Sequence, residues 1–357
     1  MTTFTQQHAR IKKHRGIGAG AAGISLLLLS IVICLAVGSV DLPLGDIVRI
    51  LLHHLPWVGE YIPVTWDPSS AQIMIHVRLP RVIMALLVGG ALGVSGAAFQ
   101  GVLRNPLADP YTLGISSGAS VGAALLIYFG LQYAFLGQWT IPVTAFVTAV
   151  MALFVVLRMA RENGKLPIQT LILSGVVMQS FLGAIVSFLV AMSQDGINEI
   201  LFWTMGSLAM RGWSYAGILL PYFVGGLIVL IAYSRSLNML ALGERQAAHM
   251  GLHVERTKWI VLLTATFVAA AAVSVAGVIG FVGLVVPHLL RLIIGADYRF
   301  LIPMSALGGA LYVLWADTIA RTLLAPTEIP LGVVTSFLGA PFFAFLLIRN
   351  KRKSQEG

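Results

Sequence analysis

The sequence predicts an all-α protein that crosses a membrane about ten times and keeps both termini in the cytoplasm. Three observations lead to this prediction. Of the 357 residues, 58% are hydrophobic and only 10% are charged, whereas a soluble domain has roughly a quarter of its residues charged. Ten segments approach the ~20 apolar residues that a spanning helix requires. Basic residues are concentrated on one side of these segments, which is the usual asymmetry of membrane proteins.

The predicted spans define one membrane domain, residues 17–349, between two short basic tails at 1–16 and 350–357. A segment at 40–79 is predicted outside the membrane, and a segment at 234–258 is predicted in the cytoplasm. The ten spans are expected near 17–39, 80–101, 112–131, 140–160, 168–192, 214–233, 259–276, 278–295, 300–319 and 330–349.

The charge distribution gives the orientation. An even number of spans places both termini on the same side. The basic runs "ARIKKHR" before the first span and "RNKRK" after the last span indicate that this side is the cytoplasm. In this arrangement 18 of the 23 Lys and Arg residues are cytoplasmic and 5 are external. The net charge of +9 is therefore explained by topology, and no nucleic-acid partner is expected.

Several functions are excluded by missing motifs. The sequence has no Gly-x-x-x-x-Gly-Lys-Ser/Thr loop, so the chain does not bind ATP as P-loop proteins do. It has no His-Glu-x-x-His pair, and His249 and His253 lack a nearby third metal ligand. We expect neither a catalytic residue nor a metal site. An ion-coupled secondary transporter is the alternative, but it needs ionisable residues near mid-membrane, and the predicted spans have almost none.

Small residues predict close helix packing. In "GISSGASVG", Gly114, Gly118 and Gly122 are spaced four apart. In a helix this spacing places them on one face, where a neighbouring backbone can approach. We therefore predict a helix-packing ridge at these three positions.

The loop "LRNPLADPYTLG", predicted on the cytoplasmic side, has more residues that restrict its backbone than a simple connection between helices requires. Two prolines restrict its backbone, and Asn105 and Asp109 can cap the helix that follows. Pro167 similarly marks the entry to the fifth span. Two interpretations are open: a tight, well-capped turn, or a constriction at the inner mouth of a pathway.

Three external arginines run against the positive-inside trend. Arg78 and Arg81 precede the second span in "VRLPR", and Arg321 ends the ninth span. They are candidates for ion pairs with the carboxylates of a partner protein. The alternatives are interaction with lipid headgroups and internal pairing with Asp317 or Glu328.

The stretch "NMLALGERQAAHMGL", residues 238–252, is unusual in so apolar a chain, because its pattern is that of an amphipathic, water-exposed helix. It is also one of four motifs that resemble a known family. The others are "RLPRVIMALLVGGALGVSGAAFQGVLRNPLADPYTLGISSGAS", "GVIGFVGLVVPHLLR" and "EIPLGVVTSFLGAPFFAFLL". Together they resemble the permease subunit of the iron-siderophore, haem and cobalamin ABC importers, and the match extends from about Arg78 to Arg349.

This resemblance implies partners and a location. The permease would lie in the inner membrane of a bacterium or archaeon, beside a second permease that is identical or paralogous. Two cytoplasmic ATPase subunits would use ATP and Mg, and this chain would bind no cofactor. An extracytoplasmic binding protein would deliver a metal chelate, with ferric siderophore expected ahead of haem or cobalamin.

The resemblance also implies roles for individual residues. The stretch 238–252 is similar to the coupling helix that contacts the ATPase, with contacts expected from Leu240, Ala241, Leu242, Gly243, Glu244, Ala247, Ala248, Gly251 and Leu252. Arg78, Arg81 and Arg321 correspond to arginines that receive glutamates of the binding protein. The cytoplasmic gate would comprise Asn105, Leu107, Ile168 and Gln169. Ile168 and Gln169 depart from the small hydroxyl residues of the cobalamin permease.

Overall fold

The computed structural model describes residues 2–38, 42–194 and 196–355. The side chains of the two predicted basic tails, 1–16 and 350–357, lie outside this description. The described residues form helices and connecting turns, without a β-strand. The helices are α1 Thr2–Ala36, α2 Leu44–His53, α3 Pro68–Ile73, α4 Leu79–Val102, α5 Ile115–Tyr128, α6 Thr140–Ala160, α7 Ile168–Met192, α8 Ile197–Met205, α9 Trp213–Ala232, α10 Ser234–Ala241, α11 Glu244–His249, α12 Val254–Ala276, α13 Val282–Ile294, α14 Tyr298–Thr322 and α15 Leu331–Gln355.

The apolar helices coincide with the predicted spans. Six are long and apolar enough to cross a membrane: Pro68–Val102, Gly137–Ala160, Ile168–Met192, Trp213–Ala232, Val254–Ala276 and Tyr298–Thr322. Shorter apolar helices occupy Gly20–Ala36, Ile115–Tyr128, Val282–Ile294 and Leu331–Phe345. The all-α membrane class is therefore confirmed. The number of ten crossings stays a prediction, because these shorter helices fall below the length of a full span.

The central helix is α4, which packs against α9, α12, α13 and α14. Its glycines allow backbones to touch: a Cβ added at Gly89 would overlap the carbonyl of Gly309, and one at Gly96 would overlap the carbonyl of Gly283. Lipid tails are as apolar as leucine, so helices in a membrane associate largely through close van der Waals packing and interhelical hydrogen bonds. These small residues therefore set the spacing of the bundle.

The predicted glycine ridge is divided between two neighbours. Gly118 and Gly122 face α6, where an added Cβ at Gly118 would lie 2.8 Å from the carbonyl oxygen of Thr148. Gly114 lies before α5, with φ +81°, and faces Met178 of α7. A left-handed backbone is easily adopted by glycine, so Gly114 acts in the turn rather than as part of the α5 face.

Helix α7 has little cover within the chain. Its mean hydropathy is 2.0, yet only 11% of its most apolar stretch is buried within the chain. Such an apolar surface needs lipid or another protein subunit against it.

Candidate functional site

The stretch 238–252, which is predicted in the cytoplasm, forms two short helices and not the single amphipathic helix that the sequence predicts. Helix α10 ends at Ala241 and α11 begins at Glu244. Between them Gly243 has φ +113°, which is incompatible with a continuous right-handed helix and is accessible mainly to glycine. A second glycine, Gly251 with φ +87°, follows the end of α11.

This stretch has one buried face and one exposed face. Leu240 and Ala247 are fully buried, and Leu252 packs against the core. Four other predicted contact residues, Ala241, Leu242, Ala248 and Gly251, form a small exposed apolar surface, with Leu242 60% exposed. The stretch is thus fixed to the bundle on one side and available on the other.

The first attachment of this stretch is at Asn238. Its Nδ2 donates to Oδ1 of Asp297 at 2.7 Å, and its Oδ1 accepts from the backbone nitrogen of Tyr298 at 2.9 Å. Asp297 caps the start of α14, and hydrogen bonds from the side chain of Arg299 lower the pKa of Asp297 to about 2. The carboxylate is therefore ionised at any physiological pH, and α10 stays tied to α14.

The second attachment is a buried lysine. Lys258, near the start of α12, is only 2% exposed, and its Nζ forms ion pairs with Glu244 at 3.0 Å and Glu255 at 2.9 Å. The same Nζ donates to the carbonyl of Leu166 at 2.9 Å, and Glu255 accepts from the backbone nitrogen of Leu166 at 2.9 Å. Lys258 therefore joins α11, α12 and the turn that precedes α7.

A cleft of about 620 Å³ lies beside this lysine. It is lined by Arg104, Pro167, Ile168, Gln169, Gly243, Glu244, Arg245 and Gln246. Two predicted gate residues, Ile168 and Gln169, thus share a cleft with two predicted coupling residues, Gly243 and Glu244. From the sequence we predict a gate and a coupling surface as two separate sites, whereas in the structure residues of both line the same cleft.

The other two predicted gate residues lie in the neighbouring turn. Oδ1 of Asn105 accepts from the backbone nitrogen of Leu107 at 2.9 Å, and Leu107 is 42% exposed. Arg104, in the same turn, lines the cleft, and its φ of +48° places its backbone in the left-handed region. Asn105 and Leu107 therefore shape the turn, and Arg104 reaches the cleft.

The three arginines predicted outside the membrane form one cluster near the end of α1, the start of α4 and the end of α14. We call Arg78, Arg81 and Arg321 the arginine cluster. Arg78 is buried, and its Nη1 donates to the carbonyls of Leu35 at 2.7 Å and Ala36 at 3.1 Å. These carbonyls are at the C-terminal end of α1, where the helix dipole favours a cation. Arg78 thus holds α1 against α4.

Carboxylates of the same chain form ion pairs with the other two members of the arginine cluster. Arg81 pairs with the buried carboxylate of Asp317 at 2.9 Å and with Glu328 at 2.7 Å. Arg321 lies 3.7 Å from Asp317 and donates to the carbonyl of Cys34. Internal pairing, one of the interpretations left open by the sequence, is therefore present. Glu328, at 41% exposure, is the member of the network most accessible from outside.

Comparison with known proteins now identifies the chain. A sequence model of the FecCD transport family matches residues 26–349. The chain belongs to the FecCD transport family. The resemblance drawn from the four motifs is confirmed, and it extends further towards the N-terminus than those motifs do.

Relatives of this FecCD protein match over most of their length. An uncharacterised ABC transporter permease protein of Bacillus subtilis is 44% identical over 96% of this chain and 96% of the relative. The cobalamin import system permease protein of Halobacterium salinarum is 41% identical over 87% of this chain and 86% of its own length. The hemin transport system permease protein of Yersinia pestis is 42% identical, over 81% and 88% respectively.

A solved structure agrees with the fold. A metal-chelate type ABC transporter in an inward-facing conformation superposes with a TM-score of 0.79 at 31% identity, covering 92% of this chain and 98% of that one. The FecCD protein is therefore a permease subunit of an ABC importer, a multi-pass protein of the inner membrane with a transport role. Membership of this family implies ATPase, substrate-binding and permease partners.

Sequence reasoning missed two residues of the FecCD permease that connect the stretch 238–252 to the bundle, Glu255 and Lys258. Glu255 and Lys258 are three apart at the start of α12, a spacing that predicts only a helix-surface pair. Their connections to Glu244 and Leu166 depend on how distant segments fold together. No local sequence pattern predicts these connections.

Proposed function

We propose that this permease moves a metal chelate into the cytoplasm, with ferric siderophore as the first candidate and haem or cobalamin as alternatives. Two relatives with about the same identity are named for cobalamin and for hemin, which supports a large metal-bearing cargo. The chain itself would bind no cofactor. ATP and Mg would be used by two separate ATPase subunits, and a binding protein outside the membrane would supply capture and specificity.

The observation that carries the mechanism is the shared cytoplasmic cleft. When ATP binding closes the two ATPase subunits, they would displace the exposed surface of 238–252. Because Asn238 is bonded to Asp297 and Glu244 is paired with Lys258, this displacement would move α14 and α12 with it. Through the Lys258 bond to Leu166, it would also reach the first residues of α7, which line the cleft. Rigid-body movement of this kind is a common form of switching.

The partner permease would cover part of the exposed surface of α7. That helix has an apolar surface that the chain itself leaves uncovered, and a pathway between two permeases needs such a surface on each side. Whether the second subunit is an identical copy or a paralogue makes no difference to this requirement.

On the outer face, we propose that Arg81 receives a glutamate of the binding protein. Its current partner there, Glu328, is partly exposed and would be exchanged for the partner's carboxylate. Arg78 and Arg321 would support the site from beneath, since both bond to carbonyls at the end of α1.

The alternative of an ion-coupled transporter has less support. Its central requirement is an ionisable group near mid-membrane. Asp317 is buried, but it lies near the end of α14 and is already paired with Arg81 and Arg321.

The test of the cargo is uptake by a strain that lacks this gene, with and without the gene restored. Labelled ferric siderophores, haem and cobalamin are compared in parallel. We expect ferric siderophore uptake to depend on the gene. Gene-dependent uptake of haem or cobalamin alone would transfer the assignment to that cargo, and no gene-dependent uptake of any of the three would contradict the proposed cargo class.

A further inference from the structure

An apolar groove between α6, α9 and α12 lies apart from the sites described above. It is a cavity of about 240 Å³, and all three helices are long and apolar enough to cross a membrane. In the predicted orientation α6 and α9 begin, and α12 ends, on the external side. Along α6 the lining ends at Phe146, about 9 Å from the first residue of the helix, Thr140. The groove therefore belongs to the outer half of the membrane.

Helix α12 forms the floor of the groove. Both α6 and α9 pack against α12, and its contribution to the lining is Ala271, Ser274 and Val275. These side chains are small and leave space between the two flanking helices. The hydroxyl of Ser274 donates to the carbonyl of Ala271 at 2.9 Å. Its hydrogen is therefore already used, and the floor behaves as an apolar surface.

Two aromatic pairs connect α6 with the α9 side of the groove. The ring centres of Trp139 and Tyr215 are 4.6 Å apart near the external ends of the helices. Further into the membrane, the ring centres of Phe146 and Tyr222 are 5.6 Å apart. Rings therefore border the groove at its outer and inner ends.

Between the aromatic pairs the groove opens sideways. Val143 and Ile218 line it and are 44% and 45% exposed. An α-helix is about 10 Å across, so a helix of another subunit cannot enter a space of 240 Å³. Water does not fill an apolar cavity of this kind. A single hydrocarbon chain from the surrounding membrane is the occupant that fits.

The outer end of the groove has one polar group to offer. Within the described part of the chain, Nε1 of Trp139 has no hydrogen-bond partner, and this residue is partly exposed. On Tyr215, the ring neighbour of Trp139, the guanidinium of Arg211 makes a cation–π contact at 4.9 Å. Trp and Tyr are enriched at the level of lipid headgroups. The donor of Trp139 is therefore placed where the polar end of a lipid lies.

We propose that this groove binds one acyl chain of a phospholipid of the outer leaflet, while an oxygen at the polar end of that lipid accepts from Nε1 of Trp139. An empty groove forfeits the dispersion contacts of its walls, and a chain restores them. The bound lipid fills the gap between α6 and α9 and holds both helices against α12. The proposal depends on the membrane fold alone and not on the cargo.

The test labels the groove in the importer complex, reconstituted in nanodiscs of phosphatidylglycerol. A small share of this lipid has a diazirine on its acyl chain, and adducts formed on illumination are mapped by peptide mass spectrometry. The reference is Val147, which is 47% exposed on α6 but does not line the groove. We expect labelling of Val143 and Ile218 to exceed labelling of Val147 about fivefold or more, because a held chain stays near them longer than fluid lipid does.

Three variants sharpen the test. Val143→Trp closes the side opening from an exposed position and should lower labelling of Ile218 about fivefold, whereas Val147→Trp, its matched control, should leave this labelling unchanged. Ala271→Leu fills the groove from its floor and should act as Val143→Trp does. Trp139→Phe keeps an aromatic ring against Tyr215 but removes the donor, and it should lower labelling severalfold.

Equal labelling of Val143, Ile218 and Val147 would overturn the proposal, since it would show only fluid lipid at this surface. The same holds if Val143→Trp and Ala271→Leu, both still folded by thermal unfolding, leave the labelling of Ile218 unchanged. Adducts that join the groove to another subunit would assign it to a protein interface instead. Unchanged labelling in Trp139→Phe would overturn the polar contact. Uptake is not measured, so the proposed import function is tested separately.

Discussion

Replacement of Lys258 by methionine should reduce cargo uptake per ATP hydrolysed by at least tenfold, while ATP hydrolysis itself continues. The buried ammonium holds Glu244, Glu255 and the Leu166 carbonyl together. Methionine fills a similar space but forms none of these bonds, so α11 can move without pulling the turn before α7. Glu244 and Glu255 are each about one-third exposed and can be hydrated, so the fold should survive. The measurement is uptake and phosphate release in proteoliposomes containing the complete importer.

Two variants control this experiment. Lys258→Arg keeps the charge and should retain much of the coupling. Lys165→Met removes an exposed lysine from the same turn and should leave the ratio unchanged. If Lys258→Met lowered uptake and ATP hydrolysis in equal proportion, the lysine would have only a structural role. If uptake and ATP hydrolysis both stayed at the parent level, Lys258 would have no part in coupling.

Replacement of Arg81 by glutamine should weaken association with the binding protein about tenfold or more, and the loss should be greater at low salt, where charges are less screened. This change also leaves Asp317 without its closest partner, so a folding defect could imitate the effect. Glu328→Gln separates the two explanations. It removes the exposed competitor for Arg81 and should tighten association severalfold. The measurement is binding-protein affinity by surface plasmon resonance at two salt concentrations.

The two variants must therefore change affinity in opposite directions. A purely internal role for Arg81 predicts that Glu328→Gln leaves the affinity unchanged or weakens it. Thermal unfolding of each variant in detergent shows whether the network beneath has been lost. Charge reversal of Arg78, which is buried against the end of α1, would mainly test folding, so the more accessible Arg81 is the informative position.

The membrane class could be predicted because it depends on local properties of the sequence. Apolar length and the sidedness of basic residues are read directly, and for α6 and α7 the predicted spans, 140–160 and 168–192, have the observed bounds. Apolar length was less informative where helices are short. The spans predicted at 112–131 and 278–295 correspond to α5 and α13, which are shorter because a turn with a left-handed residue precedes each of them.

The site around the stretch 238–252 was predicted only in part. The stretch 238–252 was found from its polarity, but amphipathic spacing continues across Gly243 and gave no indication of the break. The hub at Lys258 was missed because two of its partners, Leu166 and Glu244, are brought to it only by the packing of the helices. On the outer face, Asp317 and Glu328 could be named as partners in advance, since opposite charges near the ends of spans have few other neighbours.

The central claim is that this chain is a conduit driven by a separate ATPase. The most direct test reconstitutes the permease in liposomes with its binding protein and cargo, once with the ATPase subunits and once without them. We expect accumulation of cargo against its gradient only with the ATPase and ATP, and none with the permease alone under any ion gradient. Accumulation by the permease alone would contradict the account.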